Sequence, residues 1–168
     1  MQIIHIDSNY TDFLYKADKR VSKNINVIYQ RPYVGVLLNV EDKQYFAPLT
    51  TSRKRKKLRD NPMSENVTFM PIDECRLGGI NFNNMIPVVK DVFWAVDMDI
   101  KETDNEWEKK RKIMFRKTVR FLRKHKDHII LKAKYLYNLS IKNKLSPKQK
   151  VIVCDFKLLE KAASKYKK

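Results

Sequence analysis

The strongest constraint on folding in this sequence is an almost wholly apolar run at residues 33–40, YVGVLLNV. Pro32 precedes the run, and its length and composition predict a strand that is buried on both faces. A short polar turn at 41–43 follows, and residues 44–49 again suit a half-buried strand. Because so few residues separate them, the two strands are predicted to pair as a hairpin. The chain must therefore build a sheet around this hairpin.

The second strand of the hairpin leads directly into residues that are suited to binding phosphate. Hydroxyl side chains come first and a run of cations follows at once: Thr50, Thr51, Ser52, Arg53, Lys54, Arg55, Lys56 and Lys57. Hydroxyl donors beside concentrated positive charge at the end of a strand can hold a phosphodiester. The alternative for the same residues is a solvated basic loop, such as a localisation signal or a heparin-like patch.

The predicted pairing brings a second polar set to the same end of the sheet. Tyr29 and Arg31 lie just before the first strand of the hairpin. Antiparallel pairing places the start of one strand beside the end of its partner. We therefore expect Tyr29 and Arg31 to meet residues 50–54 on one rim of the sheet.

The rest of the chain predicts one α+β domain over residues 1–168, a mainly antiparallel sheet with helices packed on it. Further strands are predicted at 2–6, 66–73, 85–89 and 92–100, the last two forming either a strand pair or one long bent strand. Helices are predicted at 9–19, from Thr103 or Asp104 to 124, at 127–144 and after Asp155, and 148–153 is expected to be extended. Adjacent glycines at 78 and 79 indicate a bulge or a close backbone approach.

Hydrophobic periodicity assigns several side chains to the core. Trp94 and Val96 are expected to face it. Tyr10 lies on the apolar face of the first helix, but in its first turn, where the hydroxyl can instead stand at the rim of a cleft. The apolar side of the helix that ends near 124 is predicted to contain Trp107, Met114, Phe115, Thr118, Phe121 and Leu122.

The opposite side of that helix is densely basic. Its cations include Lys112, Arg116, Lys117, Arg120 and Arg123, which are predicted to bind RNA together with Arg55, Lys56 and Lys57. The whole chain has 36 Lys and Arg against 19 Asp and Glu, a net charge of +17. This excess predicts a polyanionic partner, a nucleic acid or an anionic membrane surface. Each single cation is also consistent with a solvated face.

Several classes of protein are not expected. The sequence contains no P-loop, GxGxxG or HExxH motif and only three histidines, which argues against a nucleotide cofactor and a His-rich metal site. Asp97 and Asp99 are the nearest approach to an acidic metal pair, and a solvent-facing strand edge is the favoured alternative. No run approaches the roughly 18 apolar residues of a membrane span, and the N-terminus does not resemble a signal peptide. Cys75 and Cys154 suit buried thiols in a reducing cytosol.

Metal-free RNA cleavage is open to this composition. The ribose 2′-hydroxyl is the nucleophile, so the protein need only help remove its proton, neutralise the phosphorane and protonate the leaving 5′-oxygen. Lys and Arg supply the charge, and hydroxyl groups donate to phosphate oxygens. The candidate catalytic set contains neither histidine nor a metal ligand: Tyr10, Tyr29, Arg31, Thr51, Ser52, Arg53 and Lys54. His5, His125 and His128 are not expected to be catalysts.

Three segments, YFAPLTTSRK, RLGGINFNNMIPVV and CDFKLLEK, resemble the ToxN/AbiQ family, and the likeness covers nearly the whole chain. These proteins are endoribonuclease toxins of bacterial type III toxin–antitoxin and phage abortive-infection systems. The resemblance implies a compact, highly twisted antiparallel sheet with helices, akin to the Kid/MazF toxins. It also implies metal-independent cleavage that leaves a 2′,3′-cyclic phosphate. Inhibition is implied to come from a repeated pseudoknot RNA, which the toxin cuts into repeat units that assemble with it.

The resemblance also implies which residues form the active site. The family's hydroxyl pair falls on Thr50 and Thr51, and Ser52 stands where the family has a proline. The family's lysine falls on Arg53, or on Lys54 if one residue is inserted. Which of these hydroxyls acts in the reaction, and whether Arg53 or Lys54 acts with it, remains open at this point.

Two further positions follow from the same resemblance. Tyr29 matches the family's tyrosine before the second strand, and Tyr33 stands where some members have a lysine, so that Arg31 is the expected replacement. The sequence therefore predicts a toxin of the bacterial cytoplasm that cleaves cellular or phage RNA without a cofactor. The alternative is a noncatalytic RNA-binding module whose basic helices coat structured RNA.

Overall fold

The computed structural model describes residues 1–24, 30–40, 43–50, 67–74 and 76–167, which form a mixed α/β fold. The strands are β1 Ile3–Ile6, β2 Tyr33–Val40, β3 Lys43–Thr50, β4 Phe69–Pro71, β5 Gly79–Asn81, β6 Ile86–Val88 and β7 Phe93–Ala95. The helices are α1 Ser8–Ala17, α2 Glu106–Lys124, α3 Lys126–Ile141, α4 Pro147–Ile152 and α5 Phe156–Ala163, and a 3₁₀ helix, Phe82–Asn84, joins β5 to β6. The predicted α+β class, with a helical C-terminal part, is confirmed.

Among the described residues, β3 is the centre of a seven-stranded antiparallel sheet, in which six strands follow the order β4-β5-β3-β2-β1-β7 and β6 also pairs with β3. The predicted hairpin of β2 and β3 is confirmed, with Tyr33 opposite Pro48 and Val34 opposite Ala47. The other edge of β3 is shared by two short strands. β6 pairs with its beginning, from Gln44 to Phe46, and β5 pairs with its last two residues.

Neighbouring residues of β3 reach opposite layers of the protein because side chains alternate across a strand. Tyr45 contacts Tyr137 of α3 and Phe156 of α5, with ring centroids 5.5 and 5.7 Å apart. The next residue, Phe46, instead packs edge-on against Phe93 of β7 at 4.9 Å. This part of β3 is therefore buried on both faces, as expected for a central strand.

A carboxylate from the last helix joins the sheet to the helical layer. Glu160 of α5 accepts hydrogen bonds from the hydroxyls of Tyr45 and Tyr137, at 2.7 and 2.8 Å. Burial, and then the bond to this carboxylate, raises the pKa of Tyr45 well above its usual value. Tyr45 is completely buried, so its hydroxyl needs such a partner to avoid an unsatisfied polar group in the core.

A second carboxylate joins the end of α1 to the start of α5. Asp18 accepts hydrogen bonds from the Arg20 side chain at 2.8 Å and from the backbone N–H of Asp155 at 2.8 Å. Burial alone raises the pKa of Asp18, but the bonds from Arg20 and Asp155 outweigh it and hold the pKa below its usual value. Arg20 also donates to the Lys150 carbonyl, which ties the same cluster to α4.

The predicted close backbone approach at the paired glycines is confirmed. Gly78 has a φ of 87°, in the region that favours glycine. A Cβ atom on Gly79 would lie 2.0 Å from Cζ of Phe69 on the neighbouring strand. Strands β4 and β5 can therefore pair only because position 79 has no side chain.

Several predicted elements differ from the structure. Residues 148–153 were expected to be extended, but 148–152 belong to α4, because Ser146 and Gln149 form a capping box around Pro147. The segments 85–89 and 92–100 form neither a pair nor one bent strand, since β6 pairs with β3 and β7 with β1. The predicted strand at 66–73 is reduced to β4 within the described residues. Helix α2 is capped by Asn105 and not by Thr103 or Asp104.

The apolar side of α2 is also displaced from its predicted position. Phe115, Thr118, Val119 and Leu122 are buried, whereas Trp107 and Met114 are exposed. Trp94 of β7 is exposed as well, although Val96 is buried as predicted. Cys154 is buried, as predicted, and burial raises the pKa of its thiol to about 12. Cys75 lies outside the described residues.

No helix in the described part of the chain is both long enough and apolar enough to cross a lipid bilayer.

Replacing Asp18 by Asn should lower the free energy of unfolding at pH 7 by about 1.5–3 kcal/mol, the range for hydrogen bonds to a charged group. The pKa of Asp18 is lower in the folded state than its unfolded value of about 3.9. Its stabilisation is therefore complete above that pH and is lost as the pH falls through the folded pKa. Urea unfolding between pH 7 and pH 3 should show the difference between wild type and variant shrinking in acid.

Glu102→Gln is a matched control for Asp18→Asn, because it removes an exposed carboxylate. It should leave stability within about 0.5 kcal/mol of wild type. A deficit in Asp18→Asn that stays constant across the pH range would contradict the assigned role of the charge.

Candidate active site

The end of β3 and the residues before β2 meet at one rim of the sheet, as predicted. Tyr33 lies opposite Pro48, and the backbone N–H of Leu49 donates to the Pro32 carbonyl at 2.8 Å. Continuing this register places Arg31 beside Thr50. On its other side Thr50 pairs with Gly79 of β5. In the described part of the rim, Arg31 and Thr50 therefore lie on neighbouring strands although they are 19 positions apart in the sequence.

Most of the predicted catalytic residues belong to segments that adjoin this rim but lie outside the described residues. They are Tyr29, Thr51, Ser52, Arg53 and Lys54, together with the predicted RNA-binding cations Arg55, Lys56 and Lys57. The structure describes the chain again from residue 30, just after Tyr29, and its description of β3 stops at Thr50, just before Thr51. The two segments that carry these candidates are thus attached to the rim by their immediate neighbours.

Arg31 is held in place by hydrogen bonds of its backbone. Its N–H donates to Oδ1 of Asn24 at 3.2 Å, and its carbonyl lies 3.5 Å from Nδ1 of His5. Among the described residues, Nε of Arg31 is the buried side-chain polar atom that lacks a hydrogen-bond partner. Buried donors are normally paired, so this guanidinium is a good candidate for binding an anion.

Asn24 positions Arg31, a role that the sequence analysis missed. Its side-chain amide donates to the Ile6 carbonyl at 3.1 Å and to the Ser8 hydroxyl at 3.4 Å, while its oxygen accepts from Arg31. One side chain therefore joins the end of β1, the start of α1 and the rim. Asn24 lies in a polar stretch of the sequence without hydrophobic periodicity, so no pattern marks this single asparagine for such a role.

Tyr10 does not stand at a cleft rim, contrary to the alternative considered for it. Its side chain is completely buried, and its hydroxyl donates to the Pro87 carbonyl at 2.7 Å. The ring packs edge-on against Tyr166 at 4.9 Å. Burial raises the pKa of Tyr10 above its usual value. The apolar periodicity of α1 decides its position, so that Tyr10 joins α1 to the β6 end of the sheet.

The histidines lie apart from the Arg31–Thr50 pair or contribute to its support. Burial, the main cause, lowers the pKa of His5, which is therefore neutral near pH 7. His125 stands between α2 and α3 and packs on Phe121 at 4.3 Å, and His128 is exposed. None of these imidazoles was expected to be a catalyst.

The acidic pair at Asp97 and Asp99 is part of a local turn and not of a strand. Asp97 accepts a hydrogen bond from the Asp99 backbone at 2.9 Å and pairs with Lys101 at 3.0 Å. The described residues contain no group of three or more His, Cys, Asp or Glu side chains that could hold a metal ion.

The basic side of α2 is divided between structural and exposed cations. Lys112 binds Asp104 at 2.8 Å and the Asp99 carbonyl at 2.7 Å, in a largely buried ion pair. Arg116 donates to the Met98 carbonyl at 2.9 Å. Both side chains thereby hold the turn before α2. The remaining predicted RNA-binding cations, Lys117, Arg120 and Arg123, are exposed.

Comparison with known proteins places this geometry in context. Residues 2–164 match the family described as toxin ToxN of type III toxin–antitoxin systems. The endoribonuclease ToxN of Bacillus thuringiensis subsp. kurstaki is 33% identical over 166 residues, which cover 96% of this chain and 82% of that protein.

Two solved structures share the fold over nearly their whole length. One concerns a processed non-coding RNA that regulates a bacterial antiviral system, and it aligns with a TM-score of 0.81 at 25% identity, over 100% of both chains. The other concerns selective toxin inhibition by a non-coding RNA pseudoknot in bacterial type III systems. Its TM-score is 0.76 at 27% identity, over 98% of this chain and 96% of the other.

Asn24 supports the rim, whereas Arg31 is a candidate for binding an anion, so replacing each of them should affect stability differently. Asn24→Ala should lower the free energy of unfolding by about 1–3 kcal/mol, because it leaves the Arg31 N–H and the Ile6 carbonyl without their partner. Arg31→Ala should lower it by less than Asn24→Ala does, because the Arg31 guanidinium has no hydrogen bond to lose among the described residues. Urea unfolding measures both, and the opposite ranking would contradict the assigned roles.

Proposed function

This chain belongs to the ToxN family of toxins from type III toxin–antitoxin systems, which confirms the resemblance in its sequence, and from this premise we propose that it is an endoribonuclease toxin. The observation that carries the proposal is the meeting of Arg31 and Thr50 at one rim, with the hydroxyl–cation residues following Thr50 directly. Its substrates are cellular or phage RNA, and it acts in the bacterial cytoplasm.

The proposed reaction is an attack of the ribose 2′-hydroxyl on the adjacent phosphate. The 2′-oxygen forms a bond to phosphorus and the bond from phosphorus to the 5′-oxygen breaks, so the products are a 2′,3′-cyclic phosphate and a 5′-hydroxyl. The 2′-hydroxyl loses one proton and the leaving oxygen gains one, and no oxidant or nucleotide cofactor takes part. The protein contributes donors, positive charge and proton transfer.

The residues at the rim have distinct proposed roles in this reaction. Arg31 binds a non-bridging phosphate oxygen, for which a guanidinium offers two parallel donors. Hydroxyls among Thr50, Thr51 and Ser52 donate to the phosphorane. Arg53 or Lys54 balances the added negative charge of the phosphorane. Tyr29 is the remaining member of the proposed catalytic residues. Tyr10 is excluded, because its hydroxyl is buried against the Pro87 carbonyl.

Regulation by RNA is the second part of the proposal. The structural relatives above concern a processed non-coding RNA and inhibition by an RNA pseudoknot. By extension, this chain is inhibited by a repeated pseudoknot RNA, which it processes and with which it forms a protein–RNA assembly. The net charge of +17 supports the binding of so large a polyanion.

Incubation of purified protein with RNA in EDTA tests the proposed function. Strand breaks at defined sequences, with 2′,3′-cyclic phosphate and 5′-hydroxyl ends, are the expected result. Binding of intact RNA without cleavage would instead identify a noncatalytic RNA-binding module.

Replacing Thr51, Ser52 or Lys54 by Ala should reduce cleavage much more than stability. Loss of one donor to the transition state costs roughly 10²–10³ in rate, whereas surface truncations change stability by about ±0.5 kcal/mol. Single-turnover cleavage and urea unfolding measure the two effects. Thr103→Ala and Lys134→Ala remove a hydroxyl and a cation from exposed positions elsewhere and should cleave at the wild-type rate. Wild-type rates in all three rim variants would refute this placement of the active site.

Neutralising Lys117, Arg120 and Arg123 together as Gln should weaken binding of the pseudoknot RNA. Each lost phosphate contact should also flatten the dependence of log K on log salt by about 0.9 on a duplex. Affinity measured at several salt concentrations tests this. The matched control is Lys142→Gln with Lys144→Gln and Lys148→Gln, three exposed cations outside α2. Equal affinities and slopes in the α2 triple variant and wild type would show that the antitoxin contacts another surface.

A further inference from the structure

Both tryptophans of this chain lie exposed in one groove beside the candidate active site. Trp94 of β7 is 45% exposed and Trp107 of α2 is 52% exposed. Tryptophan buries a large apolar surface in most proteins, so two exposed indoles in one groove indicate a binding surface. The periodicity of the sequence had assigned both to the core.

The groove has the size and lining of a site for an aromatic ligand. It encloses about 480 Å³ and is lined by His5, Trp94, Trp107, Arg111 and Phe115, among others. The Arg111 guanidinium lies over the Trp107 ring at 5.3 Å and over Phe115 at 5.2 Å, which supports the exposed indole from within α2. A cleft of this volume with aromatic walls suits a small planar group.

The charges around the groove do not favour a phosphate. Two cations, Arg111 and Lys112, stand against three carboxylates, Asp97, Asp104 and Glu108. Each carboxylate already has a partner, since Asp104 binds Lys112, Asp97 binds Lys101 and Glu108 accepts from the Asn105 backbone. In a chain with a net charge of +17, this groove is a locally balanced surface. Its ligand is therefore expected to present an uncharged aromatic face.

His5 of β1 lines the groove and also contacts the backbone of the rim residue Arg31. His5 pairs with Trp94 across β1 and β7, with ring centroids 6.3 Å apart. On its other side, Nδ1 of His5 lies 3.5 Å from the Arg31 carbonyl. A strand of RNA whose phosphate is held by Arg31 can thus place a neighbouring base over His5 and the indoles.

We propose that this groove binds an unpaired nucleobase of the RNA substrate, next to the scissile phosphate, by stacking on Trp94 and Trp107. This proposal rests on the endoribonuclease function proposed above. Stacking on aromatic side chains accepts any base, because every base has a π-face. The groove thereby contributes affinity for single-stranded substrate and fixes which phosphate reaches the rim.

Intrinsic fluorescence gives a direct test, because the two tryptophans of the chain are both in this groove. The probe is a short single-stranded oligonucleotide with 2′-O-methyl riboses, which lacks the nucleophile and is not cleaved. Its titration should change the emission of wild type and of the single-tryptophan variants Trp94→Phe and Trp107→Phe. An unchanged emission at saturating oligonucleotide would overturn the proposal.

Cleavage kinetics provide a second readout. Trp94→Ala and Trp107→Ala should each raise KM for single-stranded RNA by about 5- to 150-fold, as expected for the loss of base stacking. Removing one base from the substrate beside the cleavage site should impair wild type, but should add little to the defect of the tryptophan variants. Tyr135→Ala, which removes an exposed aromatic ring from α3, is the matched control and should behave as wild type.

The outcomes separate the groove from the proposed function and from the antitoxin. If wild type cleaves RNA while the tryptophan variants keep its KM, the groove proposal falls and the endoribonuclease function stands. If wild type does not cleave RNA, the function falls, and the groove has no substrate to bind. If Trp94→Ala and Trp107→Ala lose affinity for the pseudoknot RNA alone, the base belongs to the antitoxin and the proposal is overturned.

Discussion

The pairing of β3 along both of its edges is the constraint on which the rest of the structure depends. Strand β2 occupies one edge, while β6 and β5 divide the other between them. This arrangement fixes the last residue of β3, Thr50, beside Arg31. The residues proposed to carry out the chemistry follow β3 in a segment attached to a rigid strand.

The parts of the fold that could be predicted from sequence are those with a strong local signal. The apolar run before 41–43 predicted the central hairpin, and Asp155 was correctly assigned as the cap of α5. The three-residue strands β6 and β7 carry too little pattern to define their partners, which are set by tertiary contacts. Helix α4 was missed, since residues 148–153 were expected to be extended, although proline in the first turn after a serine cap favours a helix.

The candidate site also contains parts that the sequence could predict and parts that it could not. The meeting of Arg31 with Thr50 followed from antiparallel register alone, whereas the support from Asn24 depends on a loop that no periodicity describes. Hydrophobic periodicity identifies the apolar side of a helix but does not decide the exposure of a residue in its first turn. It correctly placed Tyr10 on the apolar side of α1 but did not decide the position of its hydroxyl, and it assigned exposed Trp107 to the core. Functional surfaces are where such patterns are expected to fail.

The hydrogen bonds from Tyr45 and Tyr137 to Glu160 determine how much of the chain must be synthesised before its core can be completed. The carboxylate that satisfies a buried hydroxyl of the central strand lies in α5, about 115 residues later in the chain. Asp18 likewise accepts a hydrogen bond from the backbone N–H of Asp155, which is synthesised much later. A nascent chain that contains the whole rim therefore still lacks the partners that complete its core. A fragment that ends before Asp155 and α5 therefore lacks the carboxylate that pairs with Tyr45 and the backbone N–H that pairs with Asp18.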